Sequence, residues 1–333
     1  MILGAGEIEK YCFCQGRRYA EGGRLFFNHS GASFKGLFRG KSLKLTLFSE
    51  PISAGRNAYI RLTLDGRTKR IRLPKGEKTL SIILPEGEHS FEVIKLTETA
   101  NNTLGFITAE TDGVFLPYTE RKAMKIEFIG DSITTGFGVL AKETYGEYQT
   151  KEQDVTKAFP HLISRVLDAE YHVIAAGGWP IYKSKYAPYA IPDYYANVDL
   201  TRNTDKWDEN AFSPDLFVVT LGTNDVSYLA DLAEIDRRAE RAEVKAHFIA
   251  FLRRLLRRDR PIVLVYGFFD YPDLGVMTEE VRRELDSPLL TTLEVRSAAS
   301  LGDVRSGHPG KRTHRHAAEG ILHVIRCLSE RKE

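Results

Sequence analysis

The stretch KIEFIGDSITTGFG, residues 125–138, carries an apolar run straight into Gly130-Asp131-Ser132 and then into more glycine. An apolar run that ends in a tight polar turn is the pattern of a strand buried on both faces, followed by a helix. Ser132 at such a turn is either a helix cap or an exposed nucleophile. The local pattern leaves both readings open, and the rest of the chain has to decide between them.

Downstream the same rhythm repeats. MKIEFIG, YHVIAAG, DLFVVTLG and RPIVLVYGFF are strand-length apolar runs. Between and after them lie the helical stretches TKAFPHLISRVLDA, AEIDRRAERAEVKAHFIAFLRRLLRRD and KRTHRHAAEGILHVIRCLSERK. Doubly apolar strands alternating with helices predict an α/β domain with a central parallel sheet covered on both faces, assigned to residues 121–333. Upstream, residues 1–120 have no helical period. Short alternating runs are bounded by turn residues, among them the Asp65-Gly66 pair of LDGR, PKGEK and PEGEH at roughly ten-residue spacing. This texture predicts an antiparallel β-sandwich of jelly-roll type. The segment 179–213 is long, irregular and rich in aromatics (Tyr182, Tyr186, Tyr189, Tyr194, Tyr195 and Trp207), which marks it as a candidate substrate wall.

Composition narrows the function classes. The 333 residues carry 47 basic and 45 acidic side chains, so the net charge of +2 offers no general attraction to nucleic acid or to a membrane surface. No run approaches the ~18 apolar residues of a spanning helix, and the first residues lack the pattern of a secretory signal. A cytoplasmic location is therefore expected. Three cysteines, Cys12, Cys14 and Cys327, cannot build a disulfide framework, and the Cys12-x-Cys14 pair has no second group of ligands to make a metal site. No phosphate loop, dinucleotide fingerprint or His-Glu-x-x-His is present, and the expected cofactor and metal are none.

In an open parallel sheet, ligands gather at the carboxyl ends of the strands. Three strands here end in Gly130-Asp131-Ser132, Gly177-Gly178-Trp179 and Gly222-Thr223-Asn224-Asp225, and His308 in SGHPG precedes the last helix. Each has an ordinary structural role: a cap, a turn glycine, an Asx turn, a loop histidine. Together they supply what acyl transfer requires. A serine needs a base, for which His308 is the candidate, and a tetrahedral oxyanion needs several fixed donors. The backbone N–H groups of Ser132 and Gly178 and the side-chain amide of Asn224 are candidates for that oxyanion hole.

These four blocks, in this order, resemble the SGNH (GDSL) hydrolases over the whole second half. With a sandwich ahead of KIEFIGDSITTGFGV, and WPIYKS and PDYY after it, nearly the whole chain resembles the family-2 carbohydrate esterases. The resemblance implies an SGNH-hydrolase-type three-layer domain behind an accessory jelly roll. It implies a serine esterase that removes O-acetyl groups from carbohydrates such as acetylated xylo-oligosaccharides. Ser132 would be the nucleophile and His308 the general base and acid. Asp131 and Asp225 would be scaffold, and Trp179 and Tyr182 would line the substrate pocket. The alternatives are a short-chain carboxylesterase, lipase-like or thioesterase activity, and a carbohydrate-binding protein with a vestigial site. The pattern departs from the superfamily in two places. Arg305 stands where an aspartate three residues before the histidine is usual, and Pro180 replaces a glycine. A cation cannot accept from the imidazole; the resemblance to the family-2 esterases implies instead a Ser-His dyad whose ring is oriented by a main-chain carbonyl, here that of Ser306 or Gly307, with Asp303 as the alternative. Oligomeric state is left open.

Overall fold

A computed structural model describes residues 1–296 and 304–330. Asp303 lies outside the described residues. The first unit contains strands β1 (Ile2–Gly4), β2 (Cys12–Gln15), β3 (Tyr19–Glu21), β4 (Arg24–Phe26), β5 (Ser33–Ser49), β6 (Ala58–Leu64), β7 (Arg67–Leu73), β8 (Gly76–Lys95), β9 (Gly105–Glu110) and β10 (Val114–Leu116), with the single helical turn α1 (Ile8–Tyr11). All pair antiparallel in one sheet, whose main path runs β3-β4-β9-β5-β8-β6-β7. The sheet curls because its two longest strands bend. The first part of β5 pairs with β2 and β10, and its last part with β9, while β8 accompanies it throughout. Inward residues of both halves, including Phe34, Phe38, Leu45, Leu47, Phe91, Val93 and Phe106, share one buried core. The sandwich expected from the sequence is therefore one sheet folded over on itself.

That bend corrects one sequence reading. LDGR is the expected tight hairpin between β6 and β7, with Asp65 and Gly66 both at positive φ (46° and 76°). PEGEH is not a turn but lies inside the 20-residue β8. Register shifts there, with Gly40 opposite Gly87 and Ser42 opposite Ile83, so residues 84–86 bulge past a single residue of β5. A bulged corner uses the proline and glycine of a turn while the pairing continues beyond it.

The second unit contains β11 (Met124–Gly130), α2 (Ser132–Thr135), α3 (Phe159–Val166), β12 (Ala169–Ala175), α4 (Ile191–Tyr194), β13 (Leu216–Thr220), α5 (Thr223–Ala230), α6 (Glu234–Leu256), β14 (Ile262–Tyr266), α7 (Pro272–Leu285), β15 (Leu290–Glu294) and α8 (Lys311–Glu330). Its five strands are parallel, in the order β12-β11-β13-β14-β15. Alternate residues feed opposite faces. Ile126, Phe128, Val173, Val218 and Val263 pack under α3 and α8, whereas Ile129, Ile174, Val219 and Leu264 pack under α6 and α7. This three-layer arrangement is the α/β architecture expected from the doubly apolar strands. Among the described residues no helix is long and apolar enough to cross a membrane.

Candidate active site

Ser132 sits where β11 turns into α2. A Cβ at Gly130 would meet Thr134 Oγ1 at 2.0 Å and the Thr220 carbonyl oxygen at 2.9 Å, so only glycine lets the chain turn there. Asp131 caps the short helix, its Oδ1 accepting from the Ile133 N–H at 2.9 Å. Gly136, at φ 73°, ends it one turn later. Ser132 begins a helix, so its N–H has no intrahelical acceptor.

His308 comes to this serine from the loop before α8. Its Nε2 lies 2.8 Å from Ser132 Oγ, and its Nδ1 lies 3.0 Å from the carbonyl oxygen of Arg305. A carbonyl only accepts, so Nδ1 carries the proton and the lone pair of Nε2 faces the serine hydroxyl. Burial pushes the His308 pKa down to about 4, against the opposing pull of the backbone carbonyls, which leaves the ring a neutral base at pH 7. Phe137 lies against one side of the ring at 4.4 Å between centroids, and Phe269 meets it edge-on at 5.2 Å.

The orienting carbonyl is thus that of Arg305, not of Ser306 or Gly307. The residue that seemed to break the triad supplies the acceptor through its main chain. Its guanidinium points elsewhere, with Nε and Nη2 donating to Glu152 at 3.0 and 2.8 Å in a buried bidentate pair. Ser306 and Gly307, at φ 54° and 72°, then fold the chain back so that His308 returns over the Arg305 carbonyl. A left-handed serine is uncommon and stored strain of this kind clusters at functional sites.

The candidate oxyanion donors converge on the same cleft. Gly178, at φ 79°, follows β12, and a Cβ there would meet the Cβ of Tyr186 at 2.8 Å. The Gly178 N–H has no acceptor among the described residues. Asn224 Nδ2 donates to the Trp179 carbonyl at 3.1 Å and, more weakly, to Asp131 Oδ2 at 3.3 Å. Asp225 holds the loop below, accepting from the N–H groups of Ile181, Tyr182 and Lys183 at 2.9, 2.8 and 3.2 Å. Burial raises the Asp131 pKa to about 7 and that of Asp225 to about 6, with the backbone N–H groups opposing the shift.

Ser132, His308, Gly178, Asn224 and Trp179 all line one cleft of about 780 Å³. Tyr182 does not. Its ring stacks on His247 at 4.3 Å, and its backbone N–H is held by Asp225. From the aromatic segment only Trp179, Tyr186 and Tyr189 reach the cleft, and Tyr195 and Trp207 instead pack around Arg17. Sequence reasoning also missed a whole wall. Ile52, Arg56, Glu98, Ala100 and Asn101 of the antiparallel unit line the same cleft. Glu98 is 3% exposed, and burial raises its carboxyl pKa against the opposing Gly177 N–H bond. No local signal marks these residues, which lie in polar loops between strands. A second cavity of about 550 Å³ lies between the two sheets around Lys35, Arg61, His161 and Tyr171, away from Ser132.

Comparison with known proteins places both units in known families. Residues 128–316 match the GDSL-like lipase/acylhydrolase family, and residues 14–119 match the carbohydrate esterase 2 N-terminal domain. An acetylxylan esterase/glucomannan deacetylase of Cellvibrio japonicus is 27% identical over 322 residues, covering 92% of this chain and 85% of that protein. Another protein of the same description and organism is 30% identical over 173 residues, 48% of this chain and 47% of that one. Among solved structures, a family two carbohydrate esterase from Cellvibrio japonicus superposes with a TM-score of 0.86 at 24% identity, covering 100% of this chain and 99% of that one. One from Clostridium thermocellum in complex with cellohexaose gives 0.85 at 22% identity, covering 96% and 99%.

Proposed function

Since the chain belongs to the GDSL-like lipase/acylhydrolase family, we propose that it is a serine esterase that removes O-acetyl groups from carbohydrates, working through a Ser-His dyad. The observation that carries this reading is the line from the Arg305 carbonyl through His308 to Ser132 Oγ, with contacts of 3.0 and 2.8 Å. The choice of acyl donor rests on the acetylxylan esterase relatives and on an aromatic-lined cleft open enough for a sugar.

In the first step the Ser132 hydroxyl gives its proton to His308 Nε2, and Oγ bonds to the acetyl carbonyl carbon. The oxyanion so formed is met by the N–H groups of Ser132 and Gly178 and by the Asn224 amide. His308 Nε2–H then protonates the sugar oxygen as its bond to the acyl carbon breaks, leaving acetyl-Ser132. Water attacks this ester as His308 Nε2 takes its proton, and Nε2–H returns a proton to Ser132 Oγ as the Oγ–carbon bond breaks and acetate leaves. The Arg305 carbonyl keeps Nδ1 protonated in each cycle. Unlike a carboxylate it brings only a dipole to the transient imidazolium.

The test is acetate release from a panel of acetylated xylo- and gluco-oligosaccharides, beside aryl esters of acetate and longer acids. Ser132→Ala and His308→Ala should each lower kcat by about 10⁴–10⁶-fold. Faster turnover of long-chain esters would move the substrate to lipids. Sugar binding without turnover, unchanged by Ser132→Ala, would make the protein a binding module.

A further inference from the structure

We infer that Glu98, on the loop between β8 and β9 of the antiparallel unit, is a positioning residue for acyl transfer that anchors the Ala176–Gly177 peptide, and with it the turn that aims the Gly178 N–H at the oxyanion. This rests on the esterase reading above and adds to it a part played by the first unit of the chain.

The loop after β12 is free of regular structure, so something else must fix it. Its far end, residues 181–183, is held by Asp225. Its near end is held by Glu98, whose Oε2 accepts from the Gly177 N–H at 2.7 Å. A Cβ at Gly177 would meet Glu98 Oε1 at 3.1 Å, so a side chain there would press on the carboxylate. The next N–H along the chain is that of Gly178, the candidate oxyanion donor. The pinned N–H belongs to the Ala176–Gly177 peptide, and a turn closed by the Trp179 N–H on the Ala176 carbonyl at 3.2 Å restrains φ and ψ of Gly177, the two torsions that separate it from the Gly178 N–H.

Glu98 is itself fixed from behind. Asn101 Nδ2 donates to Oε1 at 2.6 Å, and the Glu98 N–H donates to Gln153 Oε1 at 3.3 Å. Gln153, fully buried, donates from Nε2 to the Thr135 carbonyl at 3.2 Å, and Thr135 Oγ1 donates to the Ser132 carbonyl at 3.0 Å. One chain of hydrogen bonds therefore runs from the helix of Ser132 to the backbone of Glu98. A buried carboxylate is costly unless its acceptors are used. Here they are spent on an N–H next to the reacting centre, with no ion pair within 4 Å among the described residues.

The experiment uses the full chain with Glu98→Ala, Glu98→Asp and Glu98→Gln, reading kcat and KM on an aryl acetate and the affinity for phenylboronic acid. That acid forms a tetrahedral anion on Ser132 and so reports the oxyanion donors directly. Asp keeps the charge but is one methylene too short to reach, whereas Gln keeps the reach and its amide oxygen can still accept from Gly177. Expected are a fall in kcat of roughly 10- to 100-fold for Ala and Asp with KM nearly unchanged, a parallel loss of boronate affinity, and recovery of most activity in Gln. Asp performing as well as Gln, a kcat within twofold of wild type in Ala, or boronate affinity unmoved while kcat falls would each overturn the clamp. If Ala fails to fold, the Asp–Gln comparison still decides. Ser132→Ala in the same assays separates the two levels. A wild type without Ser132-dependent hydrolysis sinks the esterase reading, whereas an active wild type indifferent to Glu98 sinks only this inference.

Discussion

Ser132 and His308 meet at 2.8 Å, yet the backbone beneath each is built differently. Ser132 stands on regular structure. Strand β11 is hydrogen-bonded on both sides by β12 and β13, and the turn out of it is dictated by Gly130 and the Asp131 cap. His308 stands on a short irregular loop with two left-handed residues, anchored by the Arg305–Glu152 pair and by the Ser306 N–H bond to the Thr144 carbonyl at 2.8 Å. The nucleophile is positioned by a sheet that the whole domain stabilises, and the base by a few contacts. Residues 152 and 153 serve both sides, Glu152 reaching to Arg305 and Gln153 to the helix of Ser132. That segment is itself tied to the antiparallel unit, where Thr150 Oγ1 donates to the Asn57 carbonyl at 2.7 Å and Arg70 Nη2 to the Gln153 carbonyl at 3.1 Å. The accessory sheet therefore braces the chemistry from below as well as lining its cleft.

If the serine side is pre-built, removing a donor there should cost chemistry and nothing else. Asn224→Ala should lower kcat by about 10²–10³-fold with little change in KM, since the amide is called on most strongly when the oxyanion forms. It also relieves Asp131 of a partner, so the thermal midpoint should be measured beside the kinetics. A rise in KM with kcat intact would mean that Asn224 binds ground-state substrate instead.

The histidine side should behave less cleanly. Glu152→Ala leaves the Arg305 guanidinium buried without its partner and releases the loop that carries the acceptor carbonyl. A fall in kcat of roughly 10- to 100-fold is expected, smaller than for Asn224, together with a lower thermal midpoint. The double variant Arg305→Met, Glu152→Leu removes both charges at similar volume and should recover the midpoint more than the activity. Full recovery of activity would show that any filling of that space holds His308 equally well.

The same contrast explains what could be read in advance. Strands β11 to β14 were legible because both their faces are buried and their sequences are accordingly apolar throughout. The strand β15, LTTLE, was not, because at the sheet edge it is half exposed and carries threonines; helix α7 beside it went unread too. The Ser132, Gly178, Asn224 and His308 positions stood out because acyl chemistry restricts residue type at the ends of strands, and the fold brings all four to one cleft. The acceptor for His308 Nδ1 left no mark in the sequence, since any residue has a carbonyl. Arg305 misled for the same reason, its side chain being visible in the sequence and its relevant atom not. Glu98 was hidden in the polar run KLTETANN, residues 95–102, whose near-complete burial depends on a partner surface that comes from residues far along the chain. Tyr182 was misjudged because neighbouring aromatics on an irregular loop face different ways.

The smallest effect expected is that of pH, and it bears on how tightly the loop encloses the base. Only neutral imidazole can take the Ser132 proton. Burial holds the His308 pKa down at about 4, below the ordinary 6.5, so the ring is already neutral well on the acid side of neutrality. As pH falls, kcat/KM on an uncharged ester should stay level to about pH 5 and drop tenfold per unit only below about 4. An acid limb centred near 6.5 would mean that water reaches the ring and that the loop is open in solution. Glu152→Ala offers the internal control. By loosening the Arg305 anchor it should let solvent reach His308 and move the limb upward toward the ordinary value, while Asn224→Ala, acting on the serine side, should leave the limb where it is.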